Sequence, residues 1–486
     1  MKNQNTSVPL VRYLSYAAPH ITTTWLVAPI GIIQGIYAKH YGLSLTTIAT
    51  IVLLARLFDA ILDPTIGYYS DRYHRRMGTR KPFILVGGVS FIVCSYFLYV
   101  PPLQVSALYF AGWFILFYLA WTLFEIPHLT WASELGDTAE AKNKIFSIRN
   151  MTYYSGLLLF YAIPLLPIFE TGEITPETLK VSVIVASLLM LPLLYLCLKY
   201  TPDSPRTLST NQQKLEVKPP NNIVKEWRLF LKAGLANKPF LIFVAALSFK
   251  SLATGMWYGL IFTYVDAYLG LGHQFAQMFL IAFAVGVVVT PVWYKLANRI
   301  GKKNTWLFAM VLIMISFIYT SALTPGNTYF GELLALKIVQ TMGFTCMWVV
   351  APSMLSEIVD YDTLKFGTER TGLYFSFYTF IQKAIGALAL ALGFGLAGWY
   401  GFDATVTTHS EESVWGLILA MTWVPLFFAC LALVFIALSP INVRRHSIIR
   451  RRLDTRATRV ATQAALQRAP QADVSSESLT PRPAIP

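Results

Sequence analysis

Runs of about 20 apolar residues recur along almost the whole of this chain, and nothing else constrains its fold as strongly. At 1.5 Å per residue, a helical run of that length crosses a hydrocarbon layer of roughly 30 Å. Twelve spans are read, at about 12–38, 43–69, 82–100, 106–132, 148–168, 178–199, 238–266, 274–297, 304–323, 328–356, 370–399 and 413–438. Only 13% of the 486 residues are charged and 55% are hydrophobic, whereas a soluble protein carries about 25% charged residues. The runs are continuous, which argues against a β-barrel, whose strands alternate over about ten residues. The expected fold is an all-α membrane protein with twelve transmembrane helices.

The formal net charge of +14 could suggest a nucleic-acid partner, but the placement of the bases argues against one. Lys and Arg gather in alternate loops, as in 70–81 with Arg72, Arg75, Arg76, Arg80 and Lys81, and in the C-terminal tail. That bias marks the cytoplasmic side and places both termini there. The four cysteines, Cys94, Cys197, Cys346 and Cys430, lie in apolar spans without CxxC spacing and read as small buried hydrophobes. No small-residue cleavage site follows the polar N-terminus, so the first span reads as a retained helix.

Residues 201–236 interrupt the pattern with Pro202, Pro205, Pro219 and Pro220 among polar residues, as a cytoplasmic linker would. They divide the chain into a six-helix half at 1–200 and another at 237–440, with a basic tail at 441–486. A short repeat relates the halves: Gly67-Tyr-Tyr-Ser-Asp71-Arg72 recurs weakly as Tyr294-Lys-Leu-Ala-Asn298-Arg299. Two six-helix halves of parallel topology describe the major facilitator plan, with the solute bound near the midplane between them. The tail from Asn442 holds nine arginines against three acidic residues. It reads as a disordered, solvated segment, the alternative being attraction to anionic membrane lipids.

Three polar groups stand out inside the spans. Asp59 and Asp63 are one helical turn apart and share a face. Carboxylates at membrane depth are costly, face the bundle interior and mark ion or solute paths. The pair suits Na⁺ or a proton, and Pro64 is expected to disrupt the helix just after it. Thr122 and Glu125 are three apart and also share a face, with Arg149 and Lys383 as possible partners for Glu125. Lys383, with Gln382 beside it, sits about a dozen residues from either helix end and needs a counter-charge. His20, His128, Lys250, Trp257, Tyr258, Tyr264, Trp348 and Tyr374 are weaker candidates for lining a cavity. No nucleotide loop, zinc site or catalytic triad is present, so the chain is not expected to be an enzyme or to hold a cofactor.

The pattern Arg56-x-x-Asp59-x-x-x-Asp63-Pro64-x-x-Gly67, closing on Gly78-x-Arg80-Lys81-Pro82, resembles the second-helix signature of the glycoside–pentoside–hexuronide:cation symporters. Thr122-x-x-Glu125-Ile-Pro127, Arg149, Asp360, Gly367-Thr-Glu-Arg370-x-Gly372 and Lys383 match further positions of that family. The resemblance covers nearly all twelve spans and omits the basic tail. It implies a cation site at Asp59, Asp63 and Thr122, with Glu125, Arg149 and Lys383 near the sugar or coupled to it. Thr24 stands where melibiose permease, a member of that family, has a sugar-binding aspartate, and Leu129 replaces a tryptophan one turn beyond the fourth-helix acid. The function so implied is Na⁺- or H⁺-coupled symport of a small solute, a sugar or glycoside, by alternating access in the inner membrane, by a monomer. A symporter of a lipid-like or other non-sugar solute, or a non-transporting sensor with the same fold, are the alternatives.

Overall fold

The structure is a computed structural model and describes residues 10–43, 45–136, 138–169, 174–203, 232, 234–326, 328–367, 370–402, 409–440 and 443–468. The central part of the expected linker and the acidic residues Glu170 and Glu173 lie outside the described residues.

Helices make up nearly all of it. In the first half they are α1 (Leu10–Val27), α2 (Ile33–Tyr41), α3 (Leu45–Met77), α4 (Lys81–Tyr99), α5 (Ala107–Leu135), α6 (Ala139–Ala162) and α7 (Pro176–Tyr200). In the second half they are α8 (Lys238–Thr263), α9 (Phe275–Ile300), α10 (Lys302–Thr320), α11 (Phe330–Phe366), α12 (Thr371–Trp399), α13 (Glu411–Ile418) and α14 (Val424–Ala437). Beyond them lies α15 (Val443–Arg468). The first span is one rod broken at Pro29, where a 3₁₀ turn over Ala28–Gly31 joins α1 to α2. The last span is α13 and α14 joined by a π-helical turn over Leu419–Trp423. Counted as spans, these give the expected twelve.

Among the described residues nine helices are long and apolar enough to cross a membrane. The spans that fall short are α1 with α2, α3 and α6, and these carry His20, Asp59, Asp63 and Arg149. Large apolar side chains point outward from the others, among them Leu188 and Leu191 on α7 and Val288 and Val292 on α9. In water such a surface would be untenable; against lipid tails it is the expected one. Cys430 is exposed on the same kind of surface, unlike the buried Cys94, Cys197 and Cys346, because a lipid-facing thiol needs no protein around it.

Several helices outrun the apolar spans read from the sequence. α3 extends over 33 residues to Met77, so Asp71, Arg72, Arg75 and Arg76 are helical and only a short turn at Gly78 separates it from α4. α11 likewise runs to Phe366 and α6 begins at Ala139. Charged residues end a hydropathy run, but they are good helix formers and do not end a helix. Pro64 also leaves α3 unbroken, since the helix loses a single bond there. Gly78 and Gly301 adopt positive φ, 75° and 84°, at corresponding turns of the two halves, where a residue without Cβ is needed.

The halves meet where α3 lies against α12 and where α6 lies between α9 and α11. At the α3–α12 crossing a Cβ on Gly67 would come 2.8 Å from the carbonyl oxygen of Gly372, so glycine permits the approach. Asp71 on α3 then accepts from the N–H groups of Gly372 at 2.8 Å and Leu373 at 3.1 Å. A carboxylate of one half thereby caps the N-terminus of a helix in the other, where the helix dipole favours negative charge. Arg80 donates to Asp71 at 2.7 Å, to Ser70 Oγ at 2.7 Å and to both oxygens of Glu134.

A second link at the same, basic end joins Lys142 on α6 to Asp360 on α11, 2.6 Å apart. Asn143 beside it donates to Asn298 at 2.6 Å and accepts from Ser353 at 2.9 Å. The described part of the tail is the helix α15, not a disordered segment. It docks against α11: His446 lies 2.8 Å from Asp360 and 3.7 Å from Glu357, and Arg450 lies 3.4 Å from Asp360. Lys302 donates to the same Oε1 of Glu357 at 2.6 Å. The first turns of α15 meet the acids of α11 through His446 and Arg450.

Arg80 is buried between two carboxylates. Arg80→Ala should therefore cost about 3–5 kcal/mol by stranding both charges, read as a lowered melting temperature in detergent, with Arg80→Lys intermediate.

Candidate functional site

Asp59 and Asp63 project from α3 toward α5 and α12, and are 1% and 0% exposed. Thr122 on α5 places its hydroxyl 3.1 Å from Asp59 Oδ1 and 3.2 Å from Asp63 Oδ1; its one proton serves one of them at a time. From the other half, α12 supplies Lys383, whose ammonium lies 2.8 Å from Asp59 Oδ2 and 2.9 Å from Asp63 Oδ1. Thr379, one turn earlier, reaches Asp63 Oδ2 at 3.1 Å. The Lys383 contact with Asp59 Oδ2 is ionic but poorly directed, so that buried oxygen has no hydrogen-bond donor.

Two carboxylates against one ammonium leave one negative charge in a buried site, a costly state at membrane depth. A monovalent cation or a proton would neutralise it, and the two carboxylates with the converging hydroxyls offer hard ligands for either. Among the described residues no three His, Cys, Asp or Glu side chains cluster as a metal centre would need. The side chain of Arg56, which opens the pattern that contains these acids, lies outside the described residues.

A second buried network sits on the first half alone. Arg149 on α6 forms an ion pair with Glu125 on α5 and donates to Nδ1 of His128 at 2.7 Å. Arginine can only donate, so Nδ1 is the bare nitrogen and Nε2, 2.9 Å from the Tyr16 carbonyl, carries the proton. The Tyr16 ring stacks on His128 at 4.2 Å and its hydroxyl donates to the His128 carbonyl at 2.6 Å. His20 closes the set, its Nδ1 3.2 Å from the Arg149 carbonyl. Glu125 Oε2 is left buried without a protein hydrogen-bond partner.

The two networks border one cavity between the halves, with a volume of about 200 Å³. By this measure one water needs only about 10–15 Å³, so the space suits a small solute. The structure brings Thr24, Asp63, Thr122, Glu125, Arg149, Gln382 and Lys383 to its wall. Asp59 stands behind Asp63 and does not line it. Of the weaker candidates, His20 and Trp348 reach the cavity. His128 is spent on holding Arg149, Trp257 and Tyr264 bond inside the second half to the Thr320 side chain and carbonyl, and Tyr374 accepts from Asn237. Tyr258 packs against Phe344, and Lys250 lines a separate small chamber.

Tyr153, Tyr378, Thr379 and Asn150 also line the cavity, and reading the sequence missed them. A signal was available in helical spacing: Tyr153 is one turn after Arg149, and Thr379 one turn before Lys383. Tyr153 stacks on Trp348 across the halves, with ring centroids 5.7 Å apart.

A family model described as MFS/sugar transport protein matches residues 15–443 of the chain. The uncharacterized symporter YnaJ of Bacillus subtilis is 23% identical over 469 residues, covering 92% of this chain and 96% of that one. The isoprimeverose transporter of Lactiplantibacillus pentosus is 24% identical over 413 residues, covering 80% of each. Among solved structures, the proton:xylose symporter XylE aligns with a TM-score of 0.61 at 15% identity, covering 89% of this chain and 95% of that one. That likeness is one of fold.

Removing the ammonium should expose the charge imbalance. Lys383→Met is expected to lower stability by about 3–5 kcal/mol, the cost of breaking a buried pair. Its melting temperature should then rise more steeply with added Na⁺, or with falling pH, than that of the unaltered protein, as measured by scanning fluorimetry.

Proposed function

The chain belongs to the MFS/sugar transport protein family, and from that premise we propose that it is a cation-coupled symporter of a small sugar-like solute. One observation carries this reading: Asp63 and Lys383 belong both to the buried acid–base cluster and to the cavity wall. A cation or proton that settles on Asp59 and Asp63 takes over the charge that Lys383 otherwise balances. Lys383 then turns its ammonium toward the cavity and the solute. Ion and solute thereby share a coupling free energy, since each alters what the other meets.

Arg149 and Gln382 supply donors to the solute, Thr24 a hydroxyl and Glu125 Oε2 an acceptor. Trp348 and Tyr153 offer ring faces to the apolar side of a sugar. Neither half holds a whole site: the acids come from the first and Lys383 from the second. Rocking of residues 1–200 against 237–440 therefore makes and breaks the site, with 201–236 as the tether and 441–486 as the tail. One chain contains a complete cavity, which supports a monomer as the working unit.

The basic end faces the cytoplasm, by the positive-inside bias, with both termini on that side of the inner membrane. The Lys142–Asp360 pair and the Asp71 cap on α12 close the cavity toward the cytoplasm in the state described, and alternating access requires that both part.

Proteoliposome uptake tests the reading. Driven by an inward Na⁺ or H⁺ gradient, the protein should accumulate a member of a glycoside panel. Asp59→Asn should lower gradient-stimulated uptake by about tenfold or more, the effect of losing a charged ligand, while its melting temperature stays close to that of the parent. Unaltered ion dependence in Asp59→Asn would overturn the ion assignment. Absence of flux or counterflow for every solute would favour a sensor.

A further inference from the structure

Lys250 is a charge the mechanism above leaves unused. It is the thirteenth of the 26 residues of α8, as far from either end as the helix allows, and it is too deep to snorkel to an interface. No carboxylate among the described residues forms an ion pair with it. The described acids of the second half stand near helix ends: Asp266, Glu332, Glu411 and Glu412 at one face, and Glu357, Asp360 and Asp362 at the basic face. Those of the first half near the cavity, Asp59, Asp63 and Glu125, are taken by Lys383 and Arg149. A lysine at this depth needs a counter-charge and marks a solute path.

Its surroundings say where the counter-charge comes from. Lys250 lines a chamber of about 10 Å³ whose other walls include Trp306, Trp348, Tyr378 and Gln382. The last three of these also line the main cavity, so the chamber is a side pocket that shares a wall with that cavity. It has room for about one water-sized group, too little for a ring and enough for one oxygen of a carboxylate or phosphate. Charge points the same way. With Lys250 counted, three bases (Arg149, Lys383, Lys250) meet three acids (Asp59, Asp63, Glu125) at or behind the cavity wall. Lys337 is held by Gln340 and the rings of Trp257, Tyr258 and Phe279. A bound coupling cation adds one positive charge. A singly anionic solute cancels it.

We propose that Lys250 anchors an anionic group, a carboxylate or phosphate, on the solute this protein carries. The proposal rests on the symport reading and narrows it: neutral and anionic sugars both fall within the resembling family's name, and Lys250 selects the anionic kind for this chain. The solute body lies in the main cavity, and its charged end enters the side pocket between Trp348 and Gln382.

Trp306 and Trp348 make the pocket its own reporter. The purified full-length chain is titrated with glucose, glucuronate and glucose 6-phosphate at constant ionic strength while tryptophan fluorescence is followed. At least one of the two anions should give a saturable change, with glucose about tenfold weaker or more, the usual worth of a charge-assisted hydrogen bond. Which anion responds identifies the group. Lys250→Gln should weaken that anion about tenfold and leave glucose unchanged, while Lys250→Arg stays within about threefold of the parent. No saturable response to either anion, equal response to glucose, or an unchanged Lys250→Gln protein would each overturn the proposal.

A parallel measurement separates this from the symport reading. The Na⁺- or acid-induced rise in melting temperature reports Asp59 and Asp63, and it should persist in Lys250→Gln, which also shows that the variant folds. Absence of anion preference in the parent, with that rise intact, sinks the Lys250 assignment alone; absence of the rise in the parent sinks the ion site.

Discussion

Two carboxylates a turn apart inside an apolar bundle cannot both stay charged without help, and much of this structure is arranged to provide it. Lys383 crosses from the second half to meet them, Thr122 and Thr379 add hydroxyls, and one negative charge still remains. The cluster is therefore stable only in part. On the proposed reading its residual charge drives the uptake of a cation, and its reliance on a lysine from the opposite half ties that uptake to the relative position of the halves. A cluster neutral in itself would bind no ion, and one contained in a single half would not sense the other.

The Arg149 network shows the contrasting solution. Here acid and base come from neighbouring helices of one half, and Tyr16, His20 and His128 fix the guanidinium through stacking and backbone bonds. Such a group moves with its half as a rigid body. It can position a solute in every state of the cycle, while Lys383 can be released from its acids. Division of labour between a fixed base and a mobile one follows from which helices carry them.

Much of this was legible in the sequence. Asp59, Asp63, Thr122, Glu125 and Lys383 are conspicuous because polar residues in apolar runs are expensive, and their helical spacing says which share a face. Apolar length located the twelve spans. What sequence could not supply was the pairing: that Lys383 goes to the α3 acids and Arg149 to Glu125 depends on which helices cross, and crossings are set by side-chain packing across the whole bundle. Helix ends were misjudged at α3, α6 and α11 because hydropathy follows the membrane boundary, whereas backbone hydrogen bonding continues past it. The tail was misjudged for a related reason. Its first turns read as solvated until the acids of α11, more than eighty residues earlier, are placed opposite His446 and Arg450.

The docking of α15 bears on how the basic end opens. Asp360 is held by Lys142 from the first half, but also by His446 and Arg450 from the C-terminal helix, which packs mainly on the second half. When the halves part, Asp360 loses Lys142 and keeps Arg450 and the His446 ring. The carboxylate is never abandoned in a dry interface, so the barrier to separation lacks the largest contribution that breaking a buried ion pair would otherwise add. A chain ending near residue 443, where the family match stops, would have Lys142 as the principal partner of Asp360 and would grip more tightly. The appended helix thus meets the seam between the halves through Asp360, on a face away from the cavity that Asp63 and Lys383 line.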